Sequence, residues 1–388
     1  MRTGDHGRGR DGEPLARFEP GADMVERATV LAEGTQGHLT GVLLDRFGLR
    51  RRPQVYALGV KEVWEVARPL HRTIHTMGWP LAGAPKYREF GGSFIYPMSE
   101  GMVSLGFVAG LDCTDATFSV HDVLQEFKLH PFVERILEGG RRVAWGAKTI
   151  PEGGFLSFPE RFHVPGAMIV GDGAGLVNVP ALKGIHYAIR SGMLAAEAAF
   201  EALQLGRTAW EPGALASYDR ALRESFVWKD LWRVRNMRPA FKYGFPGGAL
   251  LAGAAMNSLG KFPPGDLALE ADADSEVYLG NRDRRYPHHD GQMYFDKLSS
   301  VYLSGNQTRD DAPNHIRVER KVRREVAEAW VHMCPAHVYE IKGEASPAGN
   351  VVEVEVTPSN CVQCGAITAK GGRLTPPEGG DGPQYTLT

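Results

Sequence analysis

VGDGAGLVNVPALKG, Val170 to Gly184, lies within the most informative pattern in the first two-thirds of the chain. The residues before it, Ala167 to Val170 (AMIV), are a short, wholly apolar run, as expected of a buried strand. Asp172 stands at the carboxyl end of that strand, and a glycine-rich loop follows. A helix is expected to begin near Lys183 or Gly184, with Ile185, Ala188, Ile189, Gly192 and Ala196 at helical spacing and Gly206 closing it. A carboxylate there can accept a hydrogen bond from a sugar or ribityl hydroxyl. The helix amino end offers free N–H groups to an electron-rich ring. That combination suits a flavin; the alternative is a plain strand–loop–helix connection with Asp172 as a helix cap.

A second stretch, ATVLAEGTQGHLT, runs from Ala28 to Thr40. It predicts a strand over Ala28 to Ala32, a turn at Glu33 and Gly34, and a helix after Gly37. This resembles the second dinucleotide-side motif of glutathione-reductase-type flavoproteins, in which an Asp/Glu-Gly pair approaches the cofactor. The G-x-G-x-x-G fingerprint after a first strand is missing. GDHGRGRDG, residues 4–12, has the glycines but lacks a strand before and a helix after, and residues 1–22 read as a polar loop.

The totals exclude several classes. The chain has 388 residues, enough for two or three domains, and its net charge of -2 gives nucleic acid no foothold. Four cysteines are too few for a disulfide-stapled scaffold. No run of about 18 apolar residues predicts a membrane span. The opening MRTGDHGRGRDGEP has neither the apolar segment of a signal peptide nor the acid-free pattern of a transit peptide.

Between 46 and 140, runs such as QVYALGVKEVWEV, GGSFIYPMS and GMVSLGFVAGL predict strands, followed by one helix ending at Gly139 and Gly140. A further helix is expected over about 213–236. The apolar segment 243–258 is broken by Pro246, Gly247 and Gly248 and flanked by basic residues. It reads either as a core helix or as an interfacial segment dipping into lipid. A polar stretch to about 285 reads as a linker.

Cys361-x-x-Cys364 and Cys334-Pro335 form a ligand-like set. Proline after a cysteine fixes the turn that cluster ligands use. His332 and His337 keep zinc open, since a structural zinc site takes four Cys and His ligands. Cys113 reads as a partly buried free thiol.

Taken together these residues resemble the carboxyl-terminal two-thirds of the electron transfer flavoprotein–ubiquinone oxidoreductases. AEGTQGHLT, GGSFIYPMSEG, GDGAGLVNVPALKGIHYAIRSGMLAAE, HDGQMYFDKLSSVYLSGNQTRDDAPNH, CPAHVYE, NCVQC and PPEGGDGPQY occur in the family's order. The resemblance implies an electron-transferring-flavoprotein dehydrogenase of mixed α+β and α/β class. It implies a partial glutathione-reductase-type FAD domain (1–45 and 141–235), an inserted β-sheet quinone-binding domain (46–140), a membrane-contacting segment and linker (236–280) and a ferredoxin-like iron–sulfur domain (281–388).

The same resemblance implies FAD at Glu33, Gly34, Gly171, Asp172, Gly173, Lys183 and Gly184. It implies quinone at Gly91 and Gly92 and an iron–sulfur cluster at Cys334, Cys361 and Cys364. The implied partners are electron transfer flavoprotein, ubiquinone and a membrane surface. No acid–base catalytic residue is implied. Where the family continues C-x-x-C-x-x-C, this chain has Ile367, so a 4Fe-4S cluster, a 3Fe-4S cluster and a lost cluster all stay open. The chain starts inside the family pattern, so residues 1–388 alone are expected to bind FAD poorly. Two rivals remain: a flavin-dependent dehydrogenase not linked to quinone, and a non-enzymatic metal-binding fragment. Alanine-, glycine- and arginine-rich usage leads to the expectation of a peripheral, monotopic protein on the cytoplasmic face of a bacterial cytoplasmic membrane.

Overall fold

The computed structural model describes residues 1–81, 87–98, 101–280, 286–309, 311–343 and 350–387. The expected linker's end, 281–285, thus lies outside the described residues, as does the start of the expected iron–sulfur domain. The chain opens with β1 (His6–Arg8) and β2 (Pro14–Glu19), then β3 (Thr29–Leu31) and α1 (His38–Arg46). Next come β4 (Tyr56–Glu65), β5 (Ile74–Met77), β6 (Gly91–Pro97), β7 (Met102–Gly110), α2 (Val120–Lys128), α3 (Pro131–Leu137) and β8 (Arg141–Pro151). β9 (His163–Val164) and β10 (Ala167–Ile169) precede α4 (Ile185–Gln204), α5 (Ala216–Glu224), α6 (Phe226–Arg233), α7 (Met237–Ala240) and α8 (Gly244–Asn257). The last part holds α9 (Lys297–Leu303), β11 (Ile316–Arg317), β12 (Lys321–Arg323), α10 (Arg324–Met333), β13 (Tyr339–Lys342), β14 (Val351–Val356), α11 (Ala366–Ala369) and β15 (Arg373–Leu374).

These elements form a mixed α/β structure of two units. The first comprises residues 1–3, 22–56 and 150–271. Its sheet has the order β3-β10-β9, with β10 parallel to β3 and antiparallel to β9. Met168 and Ile169 of β10 are fully buried, as the apolar run predicts, and pack with Leu194, Ala195, Tyr218 and Leu222 from the helices. Small residues on α4 let the helix lie close to the sheet, while Tyr218 satisfies its buried hydroxyl by donating to the Ile169 carbonyl at 2.9 Å.

The second unit comprises residues 4–21, 57–149 and 272–388. Its five-stranded sheet has the order β5-β6-β7-β4-β8. β4 and β7 stay in antiparallel register from Ala57 opposite Gly110 to Glu65 opposite Met102. α2 starts where the Ser119 hydroxyl accepts from the Asp122 N–H. The carboxyl-terminal part adds the sheet β12-β14-β13 with α10.

Four expectations change. Residues 1–22 are not loop throughout: β1 and β2 pair as a hairpin across a turn carrying Asp11-Gly12, a dipeptide suited to such a reversal. The single helix expected before Gly139 is two, because Pro131 starts a new helix and its missing N–H ends the old ladder. The helix expected over 213–236 breaks at Ser225, whose extended backbone separates α5 from α6. β8, placed by sequence in the flavin part at 141–235, is an edge strand of the five-stranded sheet. Residues 46–56, placed in the quinone part at 46–140, belong to the first unit.

Candidate functional site

In the first unit, β10 delivers Gly171 and Asp172 into a short 3-10 turn, Gly171–Ala174. The Gly171 N–H donates to Ser191 on α4 at 3.0 Å, which ties the turn to the helix. Asp172 is half-buried and its carboxylate has no protein partner among the described residues; burial raises its pKa. It faces the start of α4: a Cβ on Gly184 would stand 3.3 Å from Asp172 Oδ1. Lys183 is exposed, and its backbone bridges to Asn178.

Glu33 does something sequence did not foresee. Its carboxylate accepts from the Leu39 N–H at 3.1 Å and from the N–H and hydroxyl of Thr40 at 2.7 Å each. It therefore caps α1, whose own cap position, Gly37, has no side chain for the task. Gly34 lies beside the other loop, with its carbonyl 3.4 Å from where a Cβ on Gly173 would be.

Both loops open onto a cleft lined by Gln36, Thr40, Arg50, Gln54, Asp172 and Gly173. Among the described residues neither amide atom of Gln36 has a hydrogen-bond partner, nor has the buried hydroxyl of Thr35 just before it. Buried polar groups are normally satisfied, so the cleft suits a ligand bearing hydroxyls and amides. Gln36 gives no signal within AEGTQGHLT, because a turn glutamine carries no pattern. Arg50 and Gln54 had no local signal.

In the second unit, Gly91 and Gly92 begin β6, registered against Ala109 and Val108 of β7. A Cβ on Gly91 would stand 2.1 Å from the Val108 carbonyl oxygen, and one on Gly92 2.1 Å from that of Thr76. Neighbouring strands therefore demand glycine at both positions.

The three cysteines line one small apolar pocket, with Tyr339, Ala366 and Ile367 beside them. Cys334 ends α10, Cys361 follows a 3-10 turn, and Cys364 precedes Gly365 at φ 90°. The Gln363 N–H points at Cys361 Sγ from 3.4 Å. Burial pushes all three thiols up, and the neighbouring Cys334 adds to the effect at Cys364, which reaches about 12. Such thiols ionise readily only against a bound cation, which is how metal binding releases protons. The Thr149 N–H donates to the Cys364 carbonyl at 2.8 Å, and Lys148 Nζ to that of Gln363 at 3.0 Å. Strand β8 thus braces the cysteine loop.

Among the described residues no three His, Cys, Asp or Glu side chains are placed to hold a single metal ion. His337 Nε2 lies 2.9 Å from Glu340 and His332 Nε2 3.5 Å from Glu328, so both imidazoles are engaged away from a zinc site. Three thiols lining one pocket, with the nearby imidazoles paired elsewhere, suit the all-cysteine ligation of an iron–sulfur cluster.

Comparison with known proteins agrees with the geometry. Residues 56–150 match a family described as ETF-QO, ubiquinone-binding, and residues 291–386 one described as electron transfer flavoprotein-ubiquinone oxidoreductase, 4Fe-4S. The mitochondrial electron transfer flavoprotein-ubiquinone oxidoreductase of Oryza sativa is 38% identical over 99% of this chain and 68% of its own. The chain belongs to the electron transfer flavoprotein–ubiquinone oxidoreductase family.

The probable enzyme of this name in Saccharomyces cerevisiae is 37% identical over 100% of this chain and 66% of its own. The chain therefore spans about two-thirds of these relatives' length. A geranylgeranyl bacteriochlorophyll reductase-like structure from Thermoplasma acidophilum has a TM-score of 0.48 at 18% identity, covering 69% of this chain and 61% of that one. Of the cofactors, the matched description of residues 291–386 names a 4Fe-4S cluster.

The relatives also overturn one expectation. They are named as mitochondrial proteins of eukaryotes, so the placement at a bacterial cytoplasmic membrane is withdrawn. Residue usage exerts no force that directs a chain to a compartment, and it was a poor guide. Among the described residues no helix is long and apolar enough to cross a membrane.

Proposed function

We propose that the chain serves an oxidoreductase that takes electrons from reduced electron transfer flavoprotein and passes them to ubiquinone. The observation that carries this reading is the union, in one unit, of a sheet in the ubiquinone-binding region and three thiols, two buried and one half-buried, around one cavity in the 4Fe-4S region. Cys334, Cys361 and Cys364 would hold the iron, and the cluster when bound supplies a one-electron station. Ile367 lines the same cavity in place of a fourth thiol, which favours a cluster held by three cysteines.

A partial glutathione-reductase-type domain is the reading for the first unit. Asp172 would accept from a flavin hydroxyl, while Gly171, Gly173 and Gly184 let the ligand approach the backbone, with Lys183 beside them. Glu33 acts through α1, leaving the Gly34 backbone as the nearer contact. Bound flavin exchanges one or two electrons, so it suits a path between a one-electron station and a two-electron quinone.

α8 is the proposed lipid-facing element. Its 14 residues extend about 21 Å, short of a bilayer's hydrocarbon core of about 30 Å, and Leu250 on it is 79% exposed. Phe262, just beyond, and Tyr243, just before, are also exposed. The tilt toward lipid rather than a core helix rests on these side chains.

The test is ubiquinone-dependent oxidation of reduced electron transfer flavoprotein by protein carrying iron, sulfide and flavin. Turnover lost on iron removal supports the reading. Fully loaded protein that reduces a soluble dye but not ubiquinone would favour the dehydrogenase not linked to quinone.

A further inference from the structure

Four strands place His75, Phe94, Gly106 and Lys61 in one row across the five-stranded sheet. His75 is registered against Phe94, Phe94 against Gly106, and Gly106 against Lys61. Residues directly opposite share a face, so the row lies on one side. The other side carries buried Ser93, Phe107 and Val60. Gly106 holds this row open: a Cβ there would sit 2.5 Å from Phe94 Cζ. The Phe94 ring therefore leans over Gly106, toward Lys61. The Tyr96 ring stacks on Phe94 at 5.0 Å, and its hydroxyl lies 3.3 Å from His75 Nε2. The next row runs Met77, Gly92, Val108, Gly59, so a glycine on each side of Val108 leaves shallow ground beside the aromatic ring.

Lys61 is the unexplained member of this face. It is half-buried, and among the described residues its ammonium has neither hydrogen-bond nor ion-pair partner. Burial pushes its pKa down. The carboxylates on its own strand are committed elsewhere: Glu62 to Lys128 behind the sheet, and Glu65 to Arg141. A cation drawn partly from water without a partner costs free energy, and an anionic ligand atom removes that cost.

We propose that Lys61 is the residue that countercharges the ring oxygen of a quinone bound on this face, favouring its anionic form. The proposal rests on the ubiquinone-binding reading of residues 56–150. A flat ring lies on the glycine floor, flanked by Phe94, with one oxygen toward Lys61.

The intact chain is tested by equilibrium dialysis with two rings of one size: a hydroxynaphthoquinone, ionised at neutral pH, and an uncharged methylnaphthoquinone. The anion should bind roughly tenfold tighter. Lys61→Met should remove that preference and leave the uncharged ring's affinity, whereas Lys61→Arg should keep it. Absorbance titration of the bound ring should show its hydroxyl ionising at lower pH in the parent than in Lys61→Met, a readout that a merely structural lysine would not move. If Lys61→Met retains the preference, the assignment to Lys61 falls and the quinone reading stands. If neither ring binds the parent chain, both fall together.

Discussion

Lys128 Nζ lies 2.9 Å from Glu62 Oε2 behind the five-stranded sheet, and neither side chain reaches solvent. Arg142 Nη1 approaches the same carboxylate at 3.4 Å, and Trp64 donates to it at 2.8 Å. Burial by itself would push the Glu62 carboxyl up, but Lys128 and Arg142 outweigh it and hold the pKa near 2. Burial also pulls the Lys128 ammonium down against the pull of Glu62. The pair thus returns little net stability while being costly to break. Lys128→Met, which leaves the buried carboxylate only Arg142 and Trp64, should cost about 3 kcal/mol in urea unfolding, the low end for a broken buried pair. The sign with pH follows from the lowered carboxyl. Its contribution is complete above the ordinary carboxylate range and fades as pH falls from about 4.5 toward 2. Acid titration of stability should therefore flatten in a Glu62→Leu, Lys128→Met double variant.

Glu33 caps α1 from five residues before the helix. Glu33→Ala should lose about 1 kcal/mol, within the usual range for a cap, and Glu33→Gln should lose less because its amide oxygen still accepts. Thermal unfolding of the two variants checks this. Equal losses would show that the carboxylate's charge, rather than its hydrogen bonds, does the capping.

Asp172 behaves oppositely to Glu62. Its pKa is raised by burial with no protein partner, so the folded chain is relatively favoured at low pH and loses that advantage as pH rises through the carboxyl's folded pKa. Asp172→Asn should raise the ligand-free melting temperature at neutral pH. The same change should weaken binding of a hydroxyl-bearing flavin, measured by fluorescence quenching. A variant that binds flavin as well as its parent would remove Asp172 from the site.

Ile367 occupies the cavity wall where a fourth thiol is missing. Ile367→Cys should convert a three-iron electron paramagnetic resonance signal in the oxidised protein to the silent oxidised state of a four-iron cluster. Iron per chain should rise by about one atom, since one more thiolate is offered. Cys361→Ser should lower iron content in either background. A parent chain that already binds four irons would show that another atom fills the position.

Leu250 tests the lipid-facing reading of α8. Leu250→Asp should reduce co-sedimentation with liposomes and leave urea stability unchanged, because the side chain is exposed. Loss of stability instead would mean that α8 packs against protein.

The sequence by itself determined the elements whose signals are local. The apolar run Ala167–Val170 could only be a buried strand, and it became β10. Alternation in YALGVKEVWE marked β4, and the cysteine spacing marked the loop that carries Cys361 and Cys364. Family membership was equally legible, because it resides in the order of short motifs.

Tertiary structure alone decided what each side chain faces. Nothing in ATVLAEGTQGHLT shows that Glu33 turns onto α1 instead of toward a ligand, since that depends on where Thr40 comes to rest. Gly91 and Gly92 read as a ligand approach, yet the carbonyls of Val108 and Thr76 already require them. Ile367 stood out as a missing ligand in sequence, but only folding shows it in the wall of the cysteines' own cavity. Lys61 carried no signal at all: that its ammonium finds no partner among the described residues depends on Gly106 and Phe94 standing in its row, and strand register, a long-range contact that no local pattern encodes, puts them there.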